Sequence, residues 1–290
     1  MVDVEELKRR RSFSRRLKLR RDGHASKAVL TANPEDAGGL WGTTRSTIRS
    51  VTHRFPLQPL WKIEFDLHDL WYTFARAASV IPEDHPAQDR LATEVILARE
   101  LGSLESDEHS AVTEDGNIWS DLPYIVQDMD AFWQSKHQGM SVDECCNLAA
   151  FMARLVALGV RAPELCICAL RVFGVVLEDG DANGQSGSAR EDISGSLTTT
   201  TTTTIAKYLP AAVAWFRYAG YRLAILSLQK GSEGFSMERW ALWHQKLQAL
   251  YQDGNQDEDI RDLARRGMNC MSNWSRRVGI PTDIKAVAGK

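Results

Sequence analysis

Downstream of about residue 61, apolar residues recur every three or four positions, and no segment alternates convincingly as a strand does. The pattern predicts about eight helices. The first covers about Glu64 to Val80, with Leu67, Leu70, Trp71, Phe74 and Ala78 on one face, and Pro82 ends it. The second starts at Pro86, a favoured first helical position, carries Leu91, Val95 and Ala98, and closes at Gly102. In the third, Ile125, Val126, Met129, Phe132 and Trp133 form one stripe, with Asp121 as the expected cap and Pro123 in the first turn. Ser141 and Glu144 match a capping box for the fourth, which stops at Gly159. Pro163 opens a fifth that is apolar nearly all round to Asp179 and reads as the central buried helix. The sixth runs from about Ile205 to Lys230, with Pro210 as its start or a kink. Ser236 caps the seventh, where Trp240, Trp243, Leu247 and Leu250 share a face expected to be buried. The last covers about Asp257 to Val278. The predicted class is all-α: an irregular single-domain helical array with no significant sheet.

The flanking segments lack such stripes. Residues 1–60 read as a basic Ser/Thr/Gly-rich arm, largely disordered, with ordered structure starting near Trp61. On this reading a chain starting near residue 58 keeps its melting temperature. Residues 179–204 read as a mobile Gly/Ser/Thr loop inside a helical domain of residues 61–280, and residues 281–290 as a tail. The loop ends in seven Thr, poor helix formers expected to delay the sixth helix.

Charge divides the chain in the same place. Residues 1–60 carry 13 Lys and Arg against 6 Asp and Glu, whereas residues 61–290 carry 22 against 32. Nine of the basic residues lie between Leu7 and Arg21: Lys8, Arg9, Arg10, Arg11, Arg15, Arg16, Lys18, Arg20 and Arg21. They fit a nuclear import signal. A mitochondrial presequence is opposed by Asp3, Glu5 and Glu6, and Ser12 behind Arg9 and Arg10 fits a basic-directed kinase only weakly. A solvated tail is the favoured reading. No Lys or Arg occurs between Glu100 and Lys136, while Glu105, Asp107, Glu108, Glu114 and Asp115 crowd that span. They are a solvated acidic loop or a candidate surface for a basic protein partner, the arm itself included. The acidic body argues against nucleic acid as a ligand. No membrane span or signal-peptide core is evident, and five unpatterned cysteines read as reduced thiols. The expected location is intracellular, cytoplasmic or nuclear.

Candidate chemistry is sparse, and no cofactor is expected. The common phosphate-loop, dinucleotide, nucleophile-elbow and zinc-protease motifs are absent. Cys145-Cys146 and Cys166-x-Cys168 diverge on a helix and read as small buried residues rather than metal ligands. Asp128 and Asp130 point about 200° apart on a helix, so with Asp121 they read as a cap and solvated residues. Glu64/His68 and Glu105/His109 have the spacing of surface neighbours. "EDIRD" supplies Glu258, Asp259 and Asp262, which weakly resemble the Mg²⁺-binding motif of class I terpenoid synthases. Those enzymes carry it early with a second motif late, whereas here it opens the last helix, where the macrodipole alone explains the acids.

Four segments in order carry a further resemblance: Leu70-Trp71, "HPAQDRL" (His85 to Leu91), "IWSDLP" (Ile118 to Pro123) and "MERWALWHQKLQAL" (Met237 to Leu250). Together they resemble a family of fungal all-helical proteins described only as a domain of unknown function. The resemblance implies an intracellular all-α domain and supplies no reaction or site. The function expected is a non-catalytic interaction or small-ligand-binding module. The alternative is an enzyme of a small-molecule pathway, which magnesium-dependent turnover of a prenyl diphosphate would reveal.

Overall fold

The computed structural model describes residues 39–105, 110–178, 194–229 and 234–280. Its elements are α1 (Gly39–Arg54), a 3₁₀ turn (Phe55–Leu57), α2 (Leu60–Val80), α3 (Pro86–Arg99), β1 (Val112–Thr113), β2 (Gly116–Asn117), α4 (Ile125–Lys136), α5 (Val142–Ala157), α6 (Ala162–Leu165), α7 (Ile167–Phe173), a π-helical turn (Gly174–Glu178), α8 (Ser194–Leu228), α9 (Met237–Gln252) and α10 (Glu258–Val278). Among the described residues the fold is all-α apart from two isolated bridges and one antiparallel hairpin, in which Val112 pairs with Asn117 and Thr113 with Gly116. The chain divides into two compact units. Residues 39–81 and 93–129 form the first; residues 82–92 and 130 onward form the second.

In the first unit α1 packs on α2. Its presence is a correction, because ordered structure starts upstream of Trp61. The helix was hidden by composition. Only Thr44, Ile48 and Val51 of its described side chains are buried, a stripe too sparse to stand out among Ser, Thr and Arg. It is tied down by polar contacts as well. Arg45 reaches the buried Glu94 carboxylate, and Arg54 Nη1 lies 3.0 Å from Asp66. Thr52 Oγ1 accepts from the indole of Trp119 at 3.1 Å. The α2 face named from periodicity is buried: Leu67, Leu70, Trp71, Phe74 and Ala78 are all closed to solvent.

In the second unit α5 packs along α8, and α8 packs on α10. The capping box at Ser141 and Glu144 is formed in both directions, at 3.1 and 2.9 Å. Every residue from Cys145 to Val156 is buried, so α5 is the central helix. That role was expected of residues 163–179. Those residues instead break at Cys166 into α6 and α7 and then widen into the π turn. Arg154 is buried on α5 and is kept satisfied. It donates to Asp89 at 2.6 Å and the Glu83 carbonyl at 2.7 Å, and its guanidinium lies 3.8 Å from the Tyr218 ring centroid.

One expectation about α8 also needs correction. The helix starts at Ser194 and contains the Thr run, so of the two places expected for Pro210 it takes the one inside the helix. The helical penalty of Thr is only a few tenths of a kcal/mol per residue, so a strongly buried segment can carry it. Leu209, Ala212, Trp215, Phe216 and Leu223 are that segment. Residues 179–193 lie outside the described residues, as do residues 1–38 and 281–290.

Candidate functional site

A concavity suited to an apolar molecule lies within the second unit. It is a groove of about 350 Å³ lined by Trp133, Gln134, His137, Leu170, Arg171, Val172, Gly174, Val175 and Tyr208. Three elements build it: the end of α4, the α7–π junction, and α8 where it carries Tyr208. Trp133 and His137 are one helical turn apart, and their rings stack with centroids 5.9 Å apart and planes 8° from parallel. Tyr208 closes the aromatic wall, 6.3 Å from Trp133 and 5.9 Å from His137. The facing wall is aliphatic. Gly174 leaves it open, since a Cβ added there would meet no atom within 4 Å.

The polar groups of the groove have definite roles. His137 Nδ1 lies 2.9 Å from the Trp133 carbonyl, which only accepts, so Nδ1 bears the proton of that bond. In the uncharged ring Nε2 is then an acceptor. Burial pushes the Tyr208 phenol up, so at neutral pH it keeps its O–H as a donor. Arg171 binds Asp130 through two bonds of 2.5 and 2.9 Å, and Gln134 Nε2 donates to the same carboxylate at 2.6 Å. The rim charge is thereby neutralised. The groove offers aromatic and aliphatic walls, one acceptor and one donor.

The first unit holds a different polar constellation around "IWSDLPYI". Trp119, Leu122 and Tyr124 adopt left-handed backbone, with φ of 69°, 51° and 67°. Such values are rare away from glycine and persist only where the surroundings fix them. Here they do. Trp71 Nε1 donates to the Pro123 carbonyl at 2.8 Å, and Asp121 Oδ2 accepts from the Asn117 backbone and side chain at 2.7 and 2.8 Å. Asp115 Oδ2 accepts from Tyr124 N at 2.7 Å. Tyr124 O–H reaches Glu64 at 3.1 Å, and burial is the main cause that pushes this phenol up to about 12. His68 Nδ1 meets Asp128 at 2.7 Å. The residues form a braced loop.

This arrangement corrects the reading of the aspartates. Asp121 caps the turn at Asn117 and not α4, because the left-handed Tyr124 delays the helix to Ile125. Asp128 is only 13% exposed and pairs with His68, and Asp130 pairs with Arg171. Neither is a bare surface carboxylate. The helical divergence deduced from spacing is nonetheless seen in their separate partners.

Of the other sequence candidates, Glu105 and Glu114 are exposed, whereas Asp115 is engaged at Tyr124. Asp107, Glu108 and the basic residues from Lys8 to Arg21 lie outside the described residues. Glu258 and Asp259 are exposed in the first turn of α10. Asp262 is held by Arg265 and Arg266, which depress its carboxyl below the usual range. Among the described residues no three acidic, His or Cys side chains gather as a metal site. Sequence reasoning missed the groove, although Trp133 and Tyr208 were both visible as aromatics. Their meeting depends on how α4 and α8 pack.

The cysteines are buried as expected, save for Cys270, which is half-buried. Burial pushes the Cys145 thiol up to about 11 and Cys166 to about 12, and raises Cys146 and Cys168 further still. Little thiolate is therefore present at pH 8. In the native protein an aromatic disulfide reagent at pH 8 should modify Cys270 first and leave the other four nearly untouched, whereas all five react after denaturation. Fast modification of Cys146 or Cys168 in the native state would show that the α5 and α7 packing is wrong.

Comparison with known proteins adds the family. A family model described as a protein of unknown function, DUF3632, matches residues 71–247. The chain belongs to this family. The matched span contains all the groove residues of the DUF3632 domain. A relative from Penicillium oxalicum (strain 114-2 / CGMCC 5302), "Oxopyrrolidines biosynthesis cluster protein G", is 28% identical over 243 residues. The alignment covers 73% of this chain and 67% of that protein. No solved structure matches. Among the described residues, no helix of this DUF3632 protein is long and apolar enough to cross a membrane.

Proposed function

We propose that the chain is a small-ligand-binding module whose seat is the groove between α4, the π turn and α8. The observation that carries this reading is the aromatic wall of Trp133, His137 and Tyr208 facing an aliphatic wall kept open by Gly174. Sites for small molecules have this form: apolar walls with a few placed polar groups. The ligand is a flat, largely apolar molecule. It carries one donor for His137 Nε2 and one acceptor for the Tyr208 hydroxyl. The relative's name points to a chemical class with that pair of groups. An oxopyrrolidine is a five-membered lactam, with an N–H donor beside a C=O acceptor. The biological setting proposed is the making or handling of a small lactam-type product inside a cell.

The experiment is a titration with a benzyl-substituted 2-pyrrolidinone, followed by tryptophan fluorescence and by product analysis. Saturable binding is expected. Gly174→Leu should abolish it while leaving the melting temperature unchanged or raised, because Gly174 is helical (φ −51°, ψ −53°) and has free space beside it. Binding that is unaffected by Gly174→Leu would place the ligand elsewhere. Chemical conversion of the lactam would make the chain an enzyme of a small-molecule pathway instead of a carrier or sensor.

A further inference from the structure

A second concavity lies within the same unit, along the line where the last turns of α10 meet α8. It has a volume of about 360 Å³ and is lined by Arg217, Cys270, Asn273, Trp274, Arg276 and Arg277. Arg276 and Arg277 sit near a helix C-terminus, where the macrodipole alone favours cations. That argument does not reach Arg217, which comes from α8. Nor does it reach Trp274, which is held in place by three separate features. Trp274 Nε1 donates to the Phe216 carbonyl at 3.1 Å. Its ring lies against Gly220, where an added Cβ would fall 2.2 Å from Trp274 Cδ1. Arg277 lies over the ring, 4.9 Å from its centroid. A partly exposed indole is thus fixed at the edge of a cleft carrying three guanidiniums.

The charges are not balanced locally. Glu83 lies 3.5 Å from Arg217, and Arg276 donates to the neutral amide oxygen of Asn273 at 3.3 Å. Among the described residues no carboxylate is placed against Arg276 or Arg277. A guanidinium fork matches the oxygens of a phosphoryl group, and several forks together favour a dianion. The cleft has the size of a small-molecule site. Residues 61–290 carry 22 Lys and Arg against 32 Asp and Glu, a field that repels a long polyanion while a local cationic cleft still attracts a compact one.

We propose that this cleft binds the phosphate ester of a small molecule, with Arg217, Arg276 and Arg277 on the phosphoryl oxygens and Trp274 against the organic part. The site is separate from the aromatic groove and independent of the lactam reading.

The test uses the full chain at low ionic strength with phenyl phosphate, inorganic phosphate, anionic phospholipid vesicles and a short DNA duplex as probes. Binding is read by tryptophan fluorescence and by the rate of Cys270 modification. Phenyl phosphate should bind saturably, one per chain, and more tightly than inorganic phosphate. It should also slow the modification of Cys270. The Arg276→Gln/Arg277→Gln pair and Arg217→Gln should each weaken it about tenfold or more, the scale of losing charged hydrogen bonds. All three arginines are at least half exposed or at the surface, so the melting temperature should hold. Arg276→Lys/Arg277→Lys, which keeps the charge but loses the fork, should weaken binding by an intermediate amount. Failure of phenyl phosphate to saturate, equal binding by the Gln variants, or saturable binding to the vesicles or duplex alone would overturn the proposal.

Discussion

Trp240→Ala should lower the stability of the second unit by about 3–5 kcal/mol, as large-to-small core changes of this size do. Trp240 and Trp243 are both fully buried. The Trp240 ring meets Phe216 edge-on at 6.0 Å and Trp243 at 6.4 Å, and its Nε1 donates to the buried Ser275 hydroxyl at 3.0 Å. Removing it opens a cavity between α8, α9 and α10 and strips Ser275 of a partner. A domain is stable by about 5–15 kcal/mol, so the loss is a large share of the total. Denaturant unfolding of the two proteins measures it. A variant that unfolds like the parent would refute the aromatic core, and α9 would then be a candidate for a binding surface.

A chain starting at residue 58 should be strongly destabilised, the reverse of what composition predicts. The cut removes Ile48 and Val51, each buried against the rest of the first unit and worth about 1.5–3 kcal/mol. It also deprives Trp119 of Thr52 and the buried Glu94 of Arg45. Together these should exceed about 3 kcal/mol, with a melting temperature lower by many degrees. Val51→Ala in the full chain isolates one part of this and should cost about 1.6 kcal/mol. An unchanged melting curve for the shortened chain would show that α1 adds nothing to the unit.

These two cases mark what can be read from the chain alone. Each of the eight predicted helices has a counterpart, because a helix with a wide apolar stripe declares itself. Ser141, Ser236 and Gly159 act at helix ends as their residue types suggest. α1 escaped because it buries few side chains and leans on ion pairs formed with residues far along the chain. The groove escaped for a related reason. His137 reads as one of seven scattered histidines until α8 brings Tyr208 beside it. The motifs that carry the family resemblance turn out to be packing elements. Trp71, Gln88, Trp119 and Trp240 are all buried, and Gln88 Nε2 donates to the Asn147 carbonyl at 3.3 Å. They report the fold and carry no chemistry of their own.

The π turn bears on how this chain tolerates changes in length. A residue added or lost in a helix rotates everything beyond it by about 100°. The wide turn from Gly174 to Glu178 absorbs such a rotation, and Glu178 emerges aimed at Arg239 and Trp243, with bonds of 2.7 and 2.5 Å. Deleting one residue there would restore an ordinary helical turn. Because the wide turn takes up the difference, Glu178 would keep its aim at Arg239 and Trp243 after such a deletion. The groove and the anchoring of α9 should therefore both survive the loss of one residue from this turn, while point substitutions address each alone.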